Sequence, residues 1–443
     1  MRKNYLLMAA AAMLLASCSN EADSPKNPED NNSNEDVLTL TTLDPSTQAS
    51  RIKKVEGTRD GEKKERLTEF ATIAPVEDAA EYVWSATGID LKGNKVYVSW
   101  HSDKQAKNPA LKWGGALDVL TSDGENLAFE QSYVTDQAKF NNVVFDAASQ
   151  NFFLPLTDAK KGAAIARVKL GETYGPVRAI GGTSANYLEV KDGKVIAVTG
   201  YSKGGVFSIA SDFVAHEEGK NAIDTIVSAD NFGGKYIVGD YVLRTDDKAA
   251  YIYDIAKNVE YNIGAPLLSS TKDAEKYDPE TGTWNTETGN AARYYGKHTM
   301  AVDGDYIYVA GGQAESGTQN GLRVIRKSDM TQVWGNATNT TAVCVAGDYV
   351  YAATGAGLRV YKKFNGEKCE LFAFESELVL DENGQPVLNE EGKYKRKPIE
   401  GSGHSCNYVA VNGDKIYVAY GQTGLKIFKL DTTAPAEEET PAE

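Results

Sequence analysis

One phrase recurs along this chain, and it decides what the chain can fold into. Residues 300–327 read MAVDGDYIYVAGGQAESGTQNGLRVIRK, 341–362 read TAVCVAGDYVYAATGAGLRVYK, and 407–429 read NYVAVNGDKIYVAYGQTGLKIFK. Each has an alternating apolar run, a turn containing Gly-Asp, a second run of the Tyr-Val-Tyr type, a glycine-rich loop, and then Gly-Leu-Arg or Gly-Leu-Lys. Alternation with a period of two means strands, and Gly-Asp supplies the positive φ of a tight hairpin. Weaker copies begin near Thr87, Asn141, Asn186 and Gly233, giving seven in all. Their spacing of roughly 40 to 70 residues is that of propeller blades with insertions.

The expected fold is therefore all-β: a seven-bladed β-propeller over residues 65–431. Each copy supplies three strands, and the segment after it, such as AFEQSYVT or CELFAFES, supplies a fourth. The last copy ends at Leu430 without a fourth strand, whereas ERLTEFATIAPV (residues 65–76) precedes the first copy and has no repeat of its own. That early segment is predicted to complete the last blade, because an open ring would leave two unpaired sheet edges. Two insertions stand out: residues 265–297, and residues 376–402, where Asn383-Gly384 predicts a protruding hairpin.

The N-terminus reads as an export signal. Arg2 and Lys3 precede an apolar run from Tyr5 to Ala16, too short for a bilayer span of about 20 residues. Leu15-Ala16-Ser17-Cys18 resembles a bacterial lipobox, which implies a signal peptide over 1–17 and lipidation of Cys18. Residues 18–64 are expected to be the lipidated cysteine and a flexible tether, since Ser19 to Asp36 is too poor in apolar residues to fold. Residues 432–443 are expected to form a disordered acidic tail. Glu21 and Asp23, close behind Cys18, resemble a surface-export signal of Gram-negative lipoproteins. That resemblance implies a lipid-anchored protein of the outer membrane facing the extracellular side.

The repeats resemble β-propellers of the LVIVD-repeat and related YncE-like kinds. Similar lipidated propellers accompany TonB-dependent transporters and capture cobalamin, iron chelates or glycans. The resemblance thus implies a surface lipoprotein that binds a small ligand or glycan at one mouth of the ring, with a TonB-dependent transporter as partner. Two other readings stand beside it: a protein–protein interaction scaffold, and a polysaccharide lyase or hydrolase. A monomer is expected. The net charge of -15 argues against nucleic acid, whose phosphates demand a basic surface. No nucleophile elbow, HExxH, Walker loop or dinucleotide fingerprint occurs, so no enzyme and no cofactor are expected. Cys344, Cys369 and Cys406 form no CxxC pair and read as buried free thiols, with a disulfide left open.

Ligands usually meet a propeller at the loops leading into its inner strands. Those stretches supply the candidate ligand-binding residues: Trp84, Asn141, Asn142, Asn186, Tyr187, Asn231, Tyr294, His298, Asn339, His404, Asn407 and Tyr408. Asn and Ser at such places can equally serve backbone groups. His298, His404 and Cys406 could together bind a metal, although the expectation is that they do not. Arg293, Tyr294 and His298 are the raw material for the lyase reading. Trp100, Trp113 and Tyr201 are placed in loops after second strands, where they could stack on a sugar. His101 and His216 read as solvated.

Overall fold

The computed structural model describes residues 37–55, 66–77, 82–102, 113–158, 160–200, 202–216, 222–268, 276–278, 283–285, 297–312, 319–382, 385, 387–388, 395–399 and 406–433. Within these the hairpin turns behave as the sequence demands. Gly239, Gly304, Gly347 and Gly413 have φ of 58°, 52°, 55° and 62°, a region that a side chain would strain. Each turn reverses an inner strand into a second strand, and the glycine-rich loop reverses that into a third.

Among the described residues, seven antiparallel sheets form the blades, beside two two-stranded hairpins. Blade 1 runs Trp84–Lys92, Lys95–Ser102, Gly114–Asp123 and Asn126–Thr135 from the axis outward. Blade 2 has a broken inner strand, Ala138–Phe140 and Val144–Asp146, and ends at Tyr174–Ala179. Blades 3, 4, 5 and 6 begin with Ser184–Lys191, Gly234–Val238, Met300–Asp303 and Thr340–Ala346. Blade 7 contains Tyr408–Asn412, Lys415–Ala419 and Leu425–Leu430, and its outer strand is Leu67–Ile73, with Leu425 opposite Ile73 and Leu430 opposite Leu67. The expected closure by an N-terminal strand is what the structure shows. Seven apolar clusters fill the seven blade-to-blade interfaces, including the one between blades 7 and 1.

The N-terminal segment corrects one expectation. Part of the stretch expected to be tether is a strap on the outside of the ring. Val37–Thr39 pairs with the outer strand of blade 2, Thr41–Leu43 with that of blade 1, and Ile52–Lys54 with Leu67–Ile73 of blade 7. These blades therefore have a fifth strand. The cause is local: VLTLTTL alternates apolar side chains with threonines, and Leu38 and Leu40 bury 99% and 96% of their surface in the blade 1–2 core. A helical turn, Pro45–Gln48, capped by Asp44 through Ser46 N at 2.9 Å, redirects the strap toward blade 7. Residues 1–36, with the lipobox and Cys18, lie outside the described residues. No helix among the described residues is long and apolar enough to cross a membrane.

Candidate functional site

The inner strands begin at one mouth of the central channel, here the upper mouth, and turn back at the lower one. Their inner edges face the channel and have no strand to pair with, so their backbone groups need other partners. At the upper mouth one side chain from six of the seven blades reaches the backbone of the next. Thr87 Oγ1 donates to Phe140 O at 2.8 Å, Asn141 Nδ2 to Ala185 O at 2.7 Å, and Asn186 Nδ2 to Gly234 O at 2.6 Å. Thr299 Oγ1 donates to Val343 O at 3.2 Å, Thr341 Oγ1 donates to Cys406 O, and Asn407 Nδ2 donates to Ala86 O at 2.6 Å. Register shifts at Ala86/Gly88, Ala185/Tyr187, Gly234/Tyr236 and Thr340/Ala342 show why: Thr87, Asn186, Lys235 and Thr341 are the extra residues of β-bulges, turned out of the ladder toward the neighbour. In blade 4 this place belongs to Lys235, 4% exposed, whose charge bears on His298 of blade 5. Asn141, Asn186 and Asn407 are thus inter-blade bonds. The recurrence of Asn in the sequence has a structural cause.

Two further features close the channel. Lys297 reaches across from blade 5, its Nζ donating to Thr87 O at 3.2 Å and Asn141 O at 2.7 Å. Below it, Tyr187 of blade 3, Tyr236 of blade 4 and Tyr408 of blade 7 converge on the axis. The Tyr187 and Tyr236 rings stack at 3.9 Å. The Tyr236 and Tyr408 hydroxyls are 2.6 Å apart, and those of Tyr187 and Tyr408 are 3.4 Å apart. Burial pushes the Tyr187 hydroxyl up to about 12 and those of Tyr236 and Tyr408 well above the ordinary tyrosine value. All three stay protonated donors at neutral pH.

Toward the lower mouth, a second tier of side chains meets the next blade. Asp90 Oδ2 accepts from Phe145 N at 2.8 Å and Glu189 Oε2 from Gly239 N at 2.9 Å. Burial raises both carboxyls, that of Glu189 to about 7. Cys344 occupies the same tier, and burial raises its thiol to about 12. Asp90, Glu189, Tyr236 and Lys297 were not among the sequence candidates. Their signal is positional: Asp90, Glu189, Tyr236 and Cys344 all lie two residues before the residue that opens the hairpin.

The remaining candidates scatter. Trp84 is 2% exposed, packed between blades 7 and 1 against Tyr82. Asn142 is buried; its Oδ1 accepts from Val143 N at 2.7 Å, and a Cβ on Gly88 would lie 2.3 Å from that oxygen. Asn231 is separated by two residues from the inner strand that opens blade 4 at Gly234. It ends the outer strand of blade 3 and is exposed. Asn339 is half-buried beside Gly355. His298 is 2% exposed, its Nδ1 bonded to Ala310 O at 3.0 Å, and burial together with the charge of Lys235 holds it neutral, well below its ordinary value. Trp100 lies inside a second strand, fully buried, not in a loop, and His101 beside it is 6% exposed rather than solvated. His216 is exposed and pairs with Asp212 at 2.9 Å. Tyr294, His404, Arg293 and Tyr201 lie outside the described residues. Cys344, Cys369 and Cys406 are free thiols, and no group of three metal-ligating side chains occurs among the described residues.

No family model and no curated protein matches the chain. Among solved structures, it is similar to the WD40 β-propeller domain of Doa1 at 12% identity, covering 80% of this chain and 96% of that one, with a TM-score of 0.44. It is also similar to BamB from Moraxella catarrhalis at 13% identity, covering 82% and 100%, with a TM-score of 0.40. A third likeness is the computationally designed Ika8 protein, at 10% identity, covering 81% and 99%, with a TM-score of 0.42. These likenesses concern the fold alone, and the seven-bladed propeller stands on the sheets described above.

Proposed function

We propose that this chain is a protein-docking scaffold, lipidated at Cys18 and displayed on the outer face of an outer membrane, which presents the upper face of its propeller to a protein partner. A propeller is consistent with either a ligand-binding or a protein-binding scaffold. One observation favours the second: the channel is crossed by Lys297 and stopped by Tyr187, Tyr236 and Tyr408, while the mouth amides are engaged between blades. A glycan or corrinoid held by Asn141, Asn186 or Asn407 would first have to break bonds that keep the ring together. A TonB-dependent transporter is one class of partner for such a face. We assign the chain no catalytic role; a lyase would need His298 at substrate, and its ring is buried with Nδ1 engaged.

Native mass spectrometry of the full chain against panels of glycans, siderophores and corrinoids tests the reading, and no retained ligand is expected. A ligand kept at one-to-one stoichiometry, and lost on Lys297→Ala with the fold intact, would overturn it. Cys18→Ala should move the chain from the membrane to the soluble fraction; an unchanged distribution would remove the anchor.

A further inference from the structure

Two arginines at the interface of blades 2 and 3 stand apart from the others. Arg51, Arg244 and Arg326 each pair with a carboxylate. Arg167 and Arg178 are half-buried and make no ion pair among the described residues, although the net charge of the chain is -15. Each commits one N–H to a backbone carbonyl: Arg167 Nη1 donates to Ser211 O and Arg178 Nη1 to Val177 O, both at 3.2 Å. Among the described residues no acceptor takes Nε or Nη2 of either. Asp212, whose charge bears on Arg167, is itself engaged by Val214 N at 3.0 Å and by His216 at 2.9 Å.

Their placement makes them a pair. Arg178, on the outer strand of blade 2, lies opposite Ile165, so Arg167 is its diagonal neighbour on the same face of the sheet. Both guanidiniums lie over the Phe213 ring of blade 3, with Cζ at 5.4 and 6.0 Å from its centre. The ring is a fixed post: Phe213 is 2% exposed, packs on Phe153 at 6.1 Å, and holds a φ of 64° that a bulky side chain rarely adopts. Backbone strain of this kind persists only where the surroundings enforce it, and it collects at ligand sites. The ring steadies the two cations without neutralising them. Like charges on neighbouring strand positions repel. A dianion between them would remove that repulsion and fill the free guanidinium edges two bonds at a time.

We propose that Arg167 and Arg178 form a binding site for a divalent oxyanion, a phosphate or sulfate group, at the outer rim between blades 2 and 3. Two positive charges match the charge of the ligand, and the planar guanidinium edges match its paired oxygens. A monovalent carboxylate satisfies one guanidinium only and binds less well. The site lies on the outer strand of blade 2, away from the upper mouth, so it stands independently of the scaffold reading.

The phosphorus NMR line of inorganic phosphate should broaden when the full chain is added at fixed ionic strength. Sulfate should reverse the broadening, and acetate at the same ionic strength should not. Glucose 6-phosphate in the same competition separates a free ion from a group carried on an organic ligand, the tighter of the two identifying the source. Arg178→Lys keeps a charge over Phe213 but loses the planar edge, and should weaken phosphate by about fivefold or more. Arg167→Gln with Arg178→Gln should abolish the broadening. Because both side chains pack on Phe213, a measurement on the unaltered chain runs beside the variants: phenylglyoxal modification mapped by mass spectrometry. Phosphate should slow modification of Arg167 and Arg178 several-fold and leave the exposed Arg326 unaffected. An unprotected pair, acetate competing as strongly as sulfate, or a folded double variant that broadens the line as the parent does would overturn the proposal.

Discussion

Removing the Arg51 side chain is the most severe single test of how the ring is held shut. Arg51 follows the helical turn of the strap, and its side chain and that of Asp118 are fully buried. Its guanidinium straddles the Asp118 carboxylate, Nη1 to Oδ1 at 3.2 Å and Nη2 to Oδ2 at 2.6 Å. It also donates to Gln48 Oε1 at 2.8 Å and Ala74 O at 3.0 Å, and lies over Phe129 at 4.7 Å. Asp118 belongs to blade 1, whereas Ala74 continues the strand that closes blade 7. One side chain thus ties strap, first blade and last blade together. Arg51→Ala would leave a buried carboxylate with only the Ser132 hydroxyl, at 2.6 Å, as a charge-stabilising side chain. An orphaned buried charge of this kind costs about 3–5 kcal/mol. The expectation in urea unfolding is a loss of that order. Hydrogen exchange should rise first at Val37–Lys54 and at the strap-covered outer strands of blades 1, 2 and 7. Arg51→Met with Asp118→Leu should recover most of the loss, since an apolar pair of similar volume avoids the desolvation penalty. A loss below about 1 kcal/mol for Arg51→Ala, or a double variant no better than the single, would refute the reasoning that an uncompensated charge sets the cost.

Three other outcomes follow from the channel. Asn141→Ala removes donors to Thr157 Oγ1, Ser184 Oγ and Ala185 O and should cost about 1–3 kcal/mol in urea unfolding; a neutral result would return Asn141 to the ligand-binding candidates. Glu189 is raised by burial to about 7, above the 4.5 it would have unfolded, so the folded state binds the proton more tightly and the chain loses stability as pH rises from about 4.5 through 7. Glu189→Gln should flatten that slope by a few kcal/mol at most, and parallel stability–pH curves would sink the assignment. His298 should titrate well below an ordinary imidazole by NMR and should cost stability only below about 6.5, where the unfolded chain takes up a proton that the folded chain refuses; an ordinary titration midpoint would mean that the ring is solvated.

The ring was legible because its signals are local. Period-two alternation and Gly-Asp turns mark each hairpin, and the missing fourth strand after Leu430 pointed to Leu67–Ile73. The strap was missed because each of its pieces is three residues long, shorter than the runs that announce a strand, and the polar stretch before it set the reading of the whole. The recurrent Asn was seen but not understood. Whether Asn186 meets a ligand or Gly234 O depends on where a bulge in another blade leaves a carbonyl, and no pattern in its own segment records that.

The channel teaches the reverse lesson. A repeat protein tends toward sameness, yet on the axis all copies compete for one volume. Two residues before six of the seven hairpin openings stand Asp90, Glu189, Tyr236, Ala301, Cys344 and Ala410, with Val144 at that offset in blade 2, whereas the second strands of blades 1, 4, 5, 6 and 7 all repeat Tyr-Val. Tyr236, with Tyr187 and Tyr408 from the tier above, fills the centre with three rings, and stacked side chains of that size leave no room for more. Ala301, Cys344 and Ala410 are small there, and Val144 of blade 2 packs into the cluster between blades 2 and 3. Where strong repeats disagree at one fixed offset from their turns, the disagreement itself locates the axis. The large and ionisable side chains at that offset, Asp90, Glu189 and Tyr236, were within reach of the sequence once the copies were compared for their differences.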